Sequence, residues 1–343
     1  MRRVDVVIPC YNYAHYLEYC VSTVLSQRDV ETRILIVDDK SPDNTPEVAQ
    51  RLVQAHDNIS YTRNENNLGL VGTINRGVID WAASPYTLVL SADDALTPGA
   101  LARAVDFFEQ HPDTALVYGM AVVFSEAEDQ VLAADETQYE SREITGGHFI
   151  KDVCAGKNGV ASPAVVVRTE IQHKVGGYDP RFPHTCDLEM WMRFATVGKI
   201  GVLKSRQAYY RWHANNMSSA YVKRPLNDLN ALLATCDHIR KDWAQHMPEM
   251  DGWIAGQRRA YASEAYWLAG LAIERNDPEI VADCVAFARQ QDPDQVGNRS
   301  WWVYAAKKLA GPAVIGAVRK LANAPLKPPP TFTSGDVFGR WPG

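Results

Sequence analysis

Residues 86–112 read YTLVLSADDALTPGALARAVDFFEQHP. Tyr86 to Leu90 is a short apolar run of the length expected for a buried strand. Asp93 and Asp94 follow it, Pro98 and Gly99 mark a turn, and a helical pattern runs on to Pro112. Strand, acidic turn and helix succeed one another within 27 residues. The same unit recurs upstream. VDVVIPCY (4–11) is a strand, and AHYLEYCVSTVLSQ (14–27) is a helix with Leu17, Val21, Val24 and Leu25 at helical spacing. TRILIVDD (32–39) is a second strand ending in acids. SPDNTPEVAQRLVQAH (41–56) opens with turn and capping residues and becomes helical. ISYTRN (59–64) is a third strand, and NNLGLVGTINRGVIDWA (66–82) passes from loop to helix. Short apolar runs alternating with amphipathic helices predict an α/β fold with a mainly parallel sheet covered on both faces. Ligands of such sheets bind beyond the carboxyl ends of the strands. One rim should therefore gather Tyr11, Asp39, Asp93 and Asp94.

The chain has 343 residues, 46% of them hydrophobic, which allows one large domain or two medium ones. The net charge of −6 and the absence of a basic block argue against nucleic acid as a partner. Cys10, Cys20, Cys154, Cys186, Cys236 and Cys284 form no CxxC pair and have no zinc-site spacing. Scattered thiols of this kind belong in a reduced core. No apolar run of about 18 residues predicts a membrane span, and the N-terminus enters a strand without the apolar core of a signal peptide. These features predict a cytoplasmic protein.

Beyond residue 114 the pattern changes. ALVYGMAVVF (115–124) and GVASPAVVVRT (159–169) read as strands, and VGGYDPRF (175–182) as a turn-rich loop. CDLEMWMRFATVG (186–198) reads as a helix ending near Gly198, and QAYYRWHANNMSSA (207–220) as a strand running into a loop. From Pro225 all is helical, with Leu226, Leu229, Leu232, Leu233, Cys236 and Ile239 on one stripe. Residues 258–294 resemble one helix-turn-helix repeat of the tetratricopeptide kind. A single such unit cannot bury its own face, so it is expected to pack on the preceding domain or on a partner. WWVYAAKKLAGPAVIGAVRKLAN (301–323) is helical, basic, aromatic and interrupted at Pro312, which suits a docking helix or one lying on a membrane surface. The Pro-rich end, 325–343, reads as extended or disordered. The expected division is 1–222, with halves of about 1–115 and 116–222, then helices over 223–324, then the tail.

DDKSPDNT (38–45), taken with VVIPCYN (6–12), LSADD (90–94) and CDLEMWMR (186–193), resembles the family 2 glycosyltransferases of the GT-A fold. NNLGLVGTINRG (66–77) is similar to a further motif of that family, with Gly69, Asn75 and Gly77 in place. The resemblance spans Val4 to Ser219. It implies transfer of a sugar from a nucleotide-sugar donor with inversion, UDP being the commonest carrier. The acceptor hydroxyl would belong to a glycan, a lipid-linked sugar or a small metabolite. By the same resemblance Asp39 accepts the uracil N3–H, Tyr11 packs on the base, Pro9 and Asn12 shape the pocket, and Asn75 belongs to the nucleotide site. Asp94 becomes the ligand of Mn2+ or Mg2+, with Asp93 beside it near the ribose. Asp187 becomes the base. YRWHANNMS (210–218) resembles the family's Arg-x-His segment, so His213 completes the metal or diphosphate shell; His184 is a weaker candidate. Trp191 and Arg193 read as a helix face and a surface or phosphate contact.

Chemistry supports the same roles. Charge that builds on a diphosphate leaving group needs a cation, and Mg2+ or Mn2+ prefers carboxylate and phosphate oxygens. An ionised carboxylate only accepts hydrogen bonds, which suits Asp39 to a ring N–H. A carboxylate facing the leaving group is the economical base for inversion. Two positions depart from the family pattern: Ser91 stands where many relatives carry Asp, and Cys186 where they carry Glu. Those departures are the support for the alternative, a catalytically inactive nucleotide-binding or scaffold protein on the same fold; the retained Asp39, Asp93, Asp94 and Asp187 argue against it. A nucleotidyltransferase would need a Gly-rich, basic phosphate loop, and IPCYNYAHY (8–16) has neither Gly nor Lys.

Overall fold

Val4, Val6 and Ile8 point to one side of the first strand and are wholly buried, which seeds a sheet packed against helices. The computed structural model describes residues 2–125, 136–157, 159–213, 216, 225–294, 297–321 and 336–339. The elements alternate as the apolar pattern predicts through β1 (Arg3–Cys10), α1 (Ala14–Leu25), β2 (Glu31–Asp38), α2 (Thr45–Ala55), β3 (Ile59–Arg63), α3 (Gly69–Val78) and β4 (Tyr86–Val89); an unexpected two-residue strand, β5 (Ala95–Leu96), precedes α4 (Ala100–Gln110). There follow β6 (Thr114–Phe124), β7 (Ser141–Ile144), α5 (Gly146–Cys154), β8 (Val165–Arg168), α6 (Thr169–Val175), α7 (Cys186–Val197) and β9 (Lys199–Arg211). Helices α8 (Pro225–Asp242), α9 (Met250–Glu274), α10 (Pro278–Gln291) and α11 (Arg299–Leu321) come next, then β10 (Val337–Phe338).

The strand order is β3-β2-β1-β4-β8-β6-β9-β5, with β10 on β6 and β7 on β9. β3, β2, β1 and β4 run parallel. β8 is antiparallel to both β4 and β6, and β9 is parallel to β6. The central sheet with helices around it is thus parallel in its first half and mixed in its second. β1 lies between β2 and β4, so the connections leave it in opposite directions. In sheets of this kind ligands bind beyond the carboxyl ends of the strands at that switch point. Gly77 of α3 has a packing reason: a Cβ there would lie 2.2 Å from Val7 Cγ1. Buried Asp5 stitches the base of this half, taking two bonds from Arg33 and three from Ala83 and Ser84.

The second half differs in detail from the sequence reading. β9 begins at Lys199, eight residues before the expected strand, and β8 is only four residues long after a 3-10 turn at Ser162–Ala164. α5, α6 and β7 were not anticipated. The stretch 325–343 contributes β10, which pairs with Val122 and Ala121 of β6; residues 325–335 and 340–343 lie outside the described residues.

The chain forms two compact units, one of Met1–Val153, Lys157–Asn216 and Phe332–Gly343, the other of Cys154–Gly156 and Met217–Thr331. The second unit has its own core. Tyr261, Ala265, Tyr266 and Ala269 of α9 and Cys284 and Phe287 of α10 pack with Leu229 and Leu233 of α8 and Tyr304 of α11. The hairpin of α9 and α10 is therefore covered by its own neighbours, which the reading of a lone repeat did not foresee. All six cysteines are free and buried. Among the described residues, no helix is long and apolar enough to cross a membrane.

Candidate functional site

After β4 the chain turns through Ser91–Asp94, where the Asp94 N–H donates to the Ser91 carbonyl at 3.0 Å. β5 then pairs with Tyr209 and Ala208 of β9. That pairing delivers the end of β9 to the acids. Arg211 is fully buried beneath them. Its backbone N–H donates to Asp94 Oδ1 at 2.9 Å and its Nε to the Asp93 carbonyl at 2.8 Å. Its guanidinium lies 4.3 Å from the ring centres of Tyr16 and of Phe124. Both acids are buried. Burial first, and then the charge of Asp93, push the Asp94 carboxyl well above the usual carboxylate range, against the opposing pull of Arg211. Two adjacent buried carboxylates, with the charge of Arg211 nearby, offer a hard, oxygen-only donor set in need of further positive charge. They suit Mg2+ or Mn2+. Arg211 opens the Arg-x-His segment, and the only sequence signal of its place is a strand ending in Arg.

His213 joins the same group. Its Nε2 is 3.1 Å from Asp93 Oδ2, and its backbone N–H donates to Asn216 Oδ1. The ring stacks on Tyr16 with centroids 5.7 Å apart and meets Tyr13 edge-on. The ring contacts Asp93, the acid expected near the ribose.

A second cluster forms where β1 and β2 end. The Asp39 N–H donates to the Cys10 carbonyl and the Asn12 N–H to Ser41 Oγ, so the two loops are tied together. Asn12 and Lys40 both have φ of 60°, a left-handed conformation that Asn tolerates best among ordinary residues. Pro9 is buried within the ladder of β1, whereas Tyr11 is 49% exposed and is no core residue. Asp38 and Asp39 divide the work. Asp38 accepts from the Ser41 N–H and the Tyr61 hydroxyl and is fully buried. Asp39 accepts from Asn64 Nδ2 at 2.8 Å and from the Leu68 N–H at 2.7 Å. Both bonds run to Oδ1. Asn64 is itself fixed by Arg76, whose Nη1 donates to Asn64 Oδ1 at 2.6 Å, which sets the amide with its NH2 toward Asp39. Asp43, rather than Asp38 or Asp39, serves the helix starts, accepting from Thr45 and from the Ala14 N–H.

Asn75, expected at the nucleotide, is engaged elsewhere. Its Nδ2 donates to the Tyr178 carbonyl at 2.8 Å, and the Tyr178 N–H donates to its Oδ1 at 2.6 Å. Both ends of the amide are taken, so Asn75 clamps α3 to the loop between α6 and α7. Gly177 leaves it room: a Cβ there would lie 2.7 Å from Asn75 Oδ1. Arg193 is likewise reassigned. It is buried rather than on the surface, pairs with Glu189 at 2.7 Å, and donates to the carbonyls of Val175 and Gly177. Removing one partner of a buried ion pair costs about 3–5 kcal/mol. Glu189→Leu should therefore lower stability by about that amount in urea unfolding. A loss below about 1 kcal/mol would mean that the pair behaves like an exposed one.

Asp187 sits in the first turn of α7, half-buried, with its Oδ1 accepting the Leu188 N–H at 2.7 Å. Desolvation raises its carboxyl above the usual Asp range, although the Leu188 N–H and the nearby His184 pull it down. A carboxyl so raised is moved toward the range useful to a general base. Cys186 beside it is buried, its thiol held up chiefly by burial, and acts as a core residue. The geometry gathers Asp93, Asp94, His213 and Arg211 into one group and Asp39 with Tyr11 and Asn12 into another, while Asp187 stands on α7 with His184.

The sequence model of glycosyl transferase family 2 matches residues 5–162. An uncharacterized glycosyltransferase of Nostoc sp. is 30% identical over 221 residues, which cover 64% of this chain and 67% of that protein. Among solved structures, S. aureus TarS 1–349 in complex with UDP superposes with a TM-score of 0.57 at 16% identity, covering 90% of this chain and 92% of the other. A mannosyltransferase from Pyrobaculum calidifontis in complex with GDP-Man and Mn2+ gives 0.55 at 14% identity, covering 94% and 83%. Parallel half-sheet, acid-rich rim and family match agree, and the chain belongs to glycosyl transferase family 2, a transferase on the GT-A fold.

Proposed function

We propose that the protein transfers a sugar from a nucleoside-diphosphate donor, UDP-linked, to an acceptor hydroxyl with inversion, and that it depends on a divalent cation. The observation that carries this reading is the buried Asp93–Asp94 pair seated on Arg211 at the switch-point rim. Asp39, its Oδ1 held by Asn64 and Leu68, presents Oδ2 to the ring N–H of the base, and exposed Tyr11 packs on the base face. Asp94 and Asp93 hold Mn2+ or Mg2+, with His213 fixing Asp93 from the side. The cation, when bound, offsets the charge that develops on the diphosphate. Asp187 takes the proton of the acceptor hydroxyl as its oxygen bonds to the anomeric carbon. The bond from that carbon to the diphosphate breaks, and the nucleoside diphosphate leaves with the electron pair. The acceptor belongs to a glycan, lipid-linked sugar or small metabolite, read by the loops at 157–163 and 177–186.

Calorimetric titration of UDP, GDP and dTDP with and without Mn2+ tests this. UDP should bind tightly only with the metal. Failure of every nucleoside diphosphate under every metal condition would sink the catalytic reading in favour of a scaffold role. Within this reading Asn64→Ala should weaken UDP binding about tenfold, since a hydrogen bond to a charged group contributes about 1.5–3 kcal/mol and 1.4 kcal/mol is a factor of ten. Unchanged affinity would show that Asp39 needs no such support.

A further inference from the structure

Surface helices bury an apolar stripe and turn their charges outward. The end of α11 departs from that rule. The helix breaks at Gly311, with φ 77° and ψ 161°, and Pro312 starts its second segment. In that segment Ile315 packs against the core of the second unit. Arg319 pairs with Glu274, which also takes Lys307 at 2.6 Å and is only 10% exposed. Two of the charges, Lys307 and Arg319, therefore turn toward Glu274. Val314, Val318 and Leu321, at i, i+4 and i+7, point outward, and Leu321 is 87% exposed. Leu309, just before the break, is 91% exposed, and Trp302 lies 62% exposed one stretch earlier. Single exposed apolar residues are ordinary, but three on one face of a short segment form a patch of the kind that marks a contact surface.

Charge identifies what covers it. From residue 295 to 335 there is no Asp or Glu, while Arg299, Lys307, Lys308, Arg319, Lys320 and Lys327 fall in the same stretch of a chain whose net charge is −6. Lys308 and Lys320 are exposed beside the stripe. A second copy seated face to face would bring these lysines together, and like charges across an interface oppose association. An acidic lipid surface meets both features at once: apolar side chains enter the headgroup boundary, basic ones meet anionic headgroups, and tryptophan favours that level. We propose that the outward face of α11 docks the protein on the surface of an anionic bilayer.

The test is co-sedimentation of the full chain with vesicles of phosphatidylcholine, alone or mixed with phosphatidylglycerol. Binding should be at least tenfold tighter to the anionic vesicles and should weaken as salt rises. The surface variant Leu309→Ser/Val318→Ser should lose at least tenfold, and Lys308→Glu/Lys320→Glu should lose the preference for phosphatidylglycerol. Both should keep the wild-type melting temperature. Equal or absent binding to the two vesicle types would overturn the proposal. So would a wild-type dimer in light scattering that Leu309→Ser/Val318→Ser dissolves while vesicle binding stays unaltered.

Discussion

Asp94→Asn is expected to abolish the metal-dependent part of UDP binding, on the order of 100-fold or more in affinity, while making the metal-free protein more stable. The two effects share one cause. Asp94 is buried beside Asp93, and among the bonds described Arg211 reaches the pair only through its backbone N–H to Asp94 Oδ1 and its Nε to the Asp93 carbonyl. Its raised pKa means that the fold prefers the neutral carboxyl. The sign follows from linkage. A carboxyl whose folded pKa lies above its unfolded value contributes stability below the unfolded value, and that contribution is lost as pH rises through the folded one. At neutral pH the ionised group is therefore a burden that a cation relieves and that Asn never carries. Asn keeps an oxygen for the Arg211 N–H. Relief of about 1 kcal/mol corresponds to about 2–4 °C for a unit of this size. Thermal unfolding in EDTA should show the variant melting higher at pH 8 and the gap closing as the pH is lowered. A variant that melts lower than wild type at pH 8, or that still binds UDP in a Mn2+-dependent way, would remove Asp94 from the metal site.

The fold was most legible where its determinants are local. From Arg3 to Gln110, strand and helix alternate with periods visible within a dozen residues, and the acids fall at strand ends because apolar runs stop there. Asp93 and Asp94 could be singled out because charge at the end of a buried run needs an explanation. What remained hidden depends on contacts far apart in the chain. Arg211 meets Asp94 across 117 positions, and nothing near Arg211 announces a buried guanidinium. Asn75 sits in a motif that suggested nucleotide contact, yet its amide is spent on Tyr178, 103 positions away. Arg193 has the ordinary look of a helix-surface residue until the carbonyls of Val175 and Gly177 turn toward it. α6 escaped because it is a single seven-residue helix following directly on β8, too short for a period to emerge. Residues 301–323 were legible as a basic, aromatic helix, but not which side of its end faced out, since that depends on Glu274.

Asp187→Asn should lower kcat by about 100- to 10,000-fold, the span over which a positioned general base contributes, and leave UDP affinity within threefold of wild type. The substitution is nearly isosteric, and the Asn oxygen can still accept the Leu188 N–H that holds the side chain in the first turn of α7. Loss of rate would therefore report loss of basicity and not of shape. The pH profile separates this from a structural effect. Burial raises the Asp187 carboxyl above the ordinary range, and only the ionised form can take a proton. In wild type, kcat/KM should fall as pH drops through that raised value, above the range of an unperturbed Asp, about 3.9. The residual rate of the variant should lose that limb. The helix start works against the shift, because the N-terminal dipole favours a negative charge there, and so does His184. His184→Ala should then move the acid limb to higher pH, an effect with the opposite sign to any that simple loosening of the loop would give. Wild-type rates in Asp187→Asn would place the base on another residue. A normal UDP affinity with no transfer in wild type itself, across donor sugars and acceptors, would instead return the protein to a binding role.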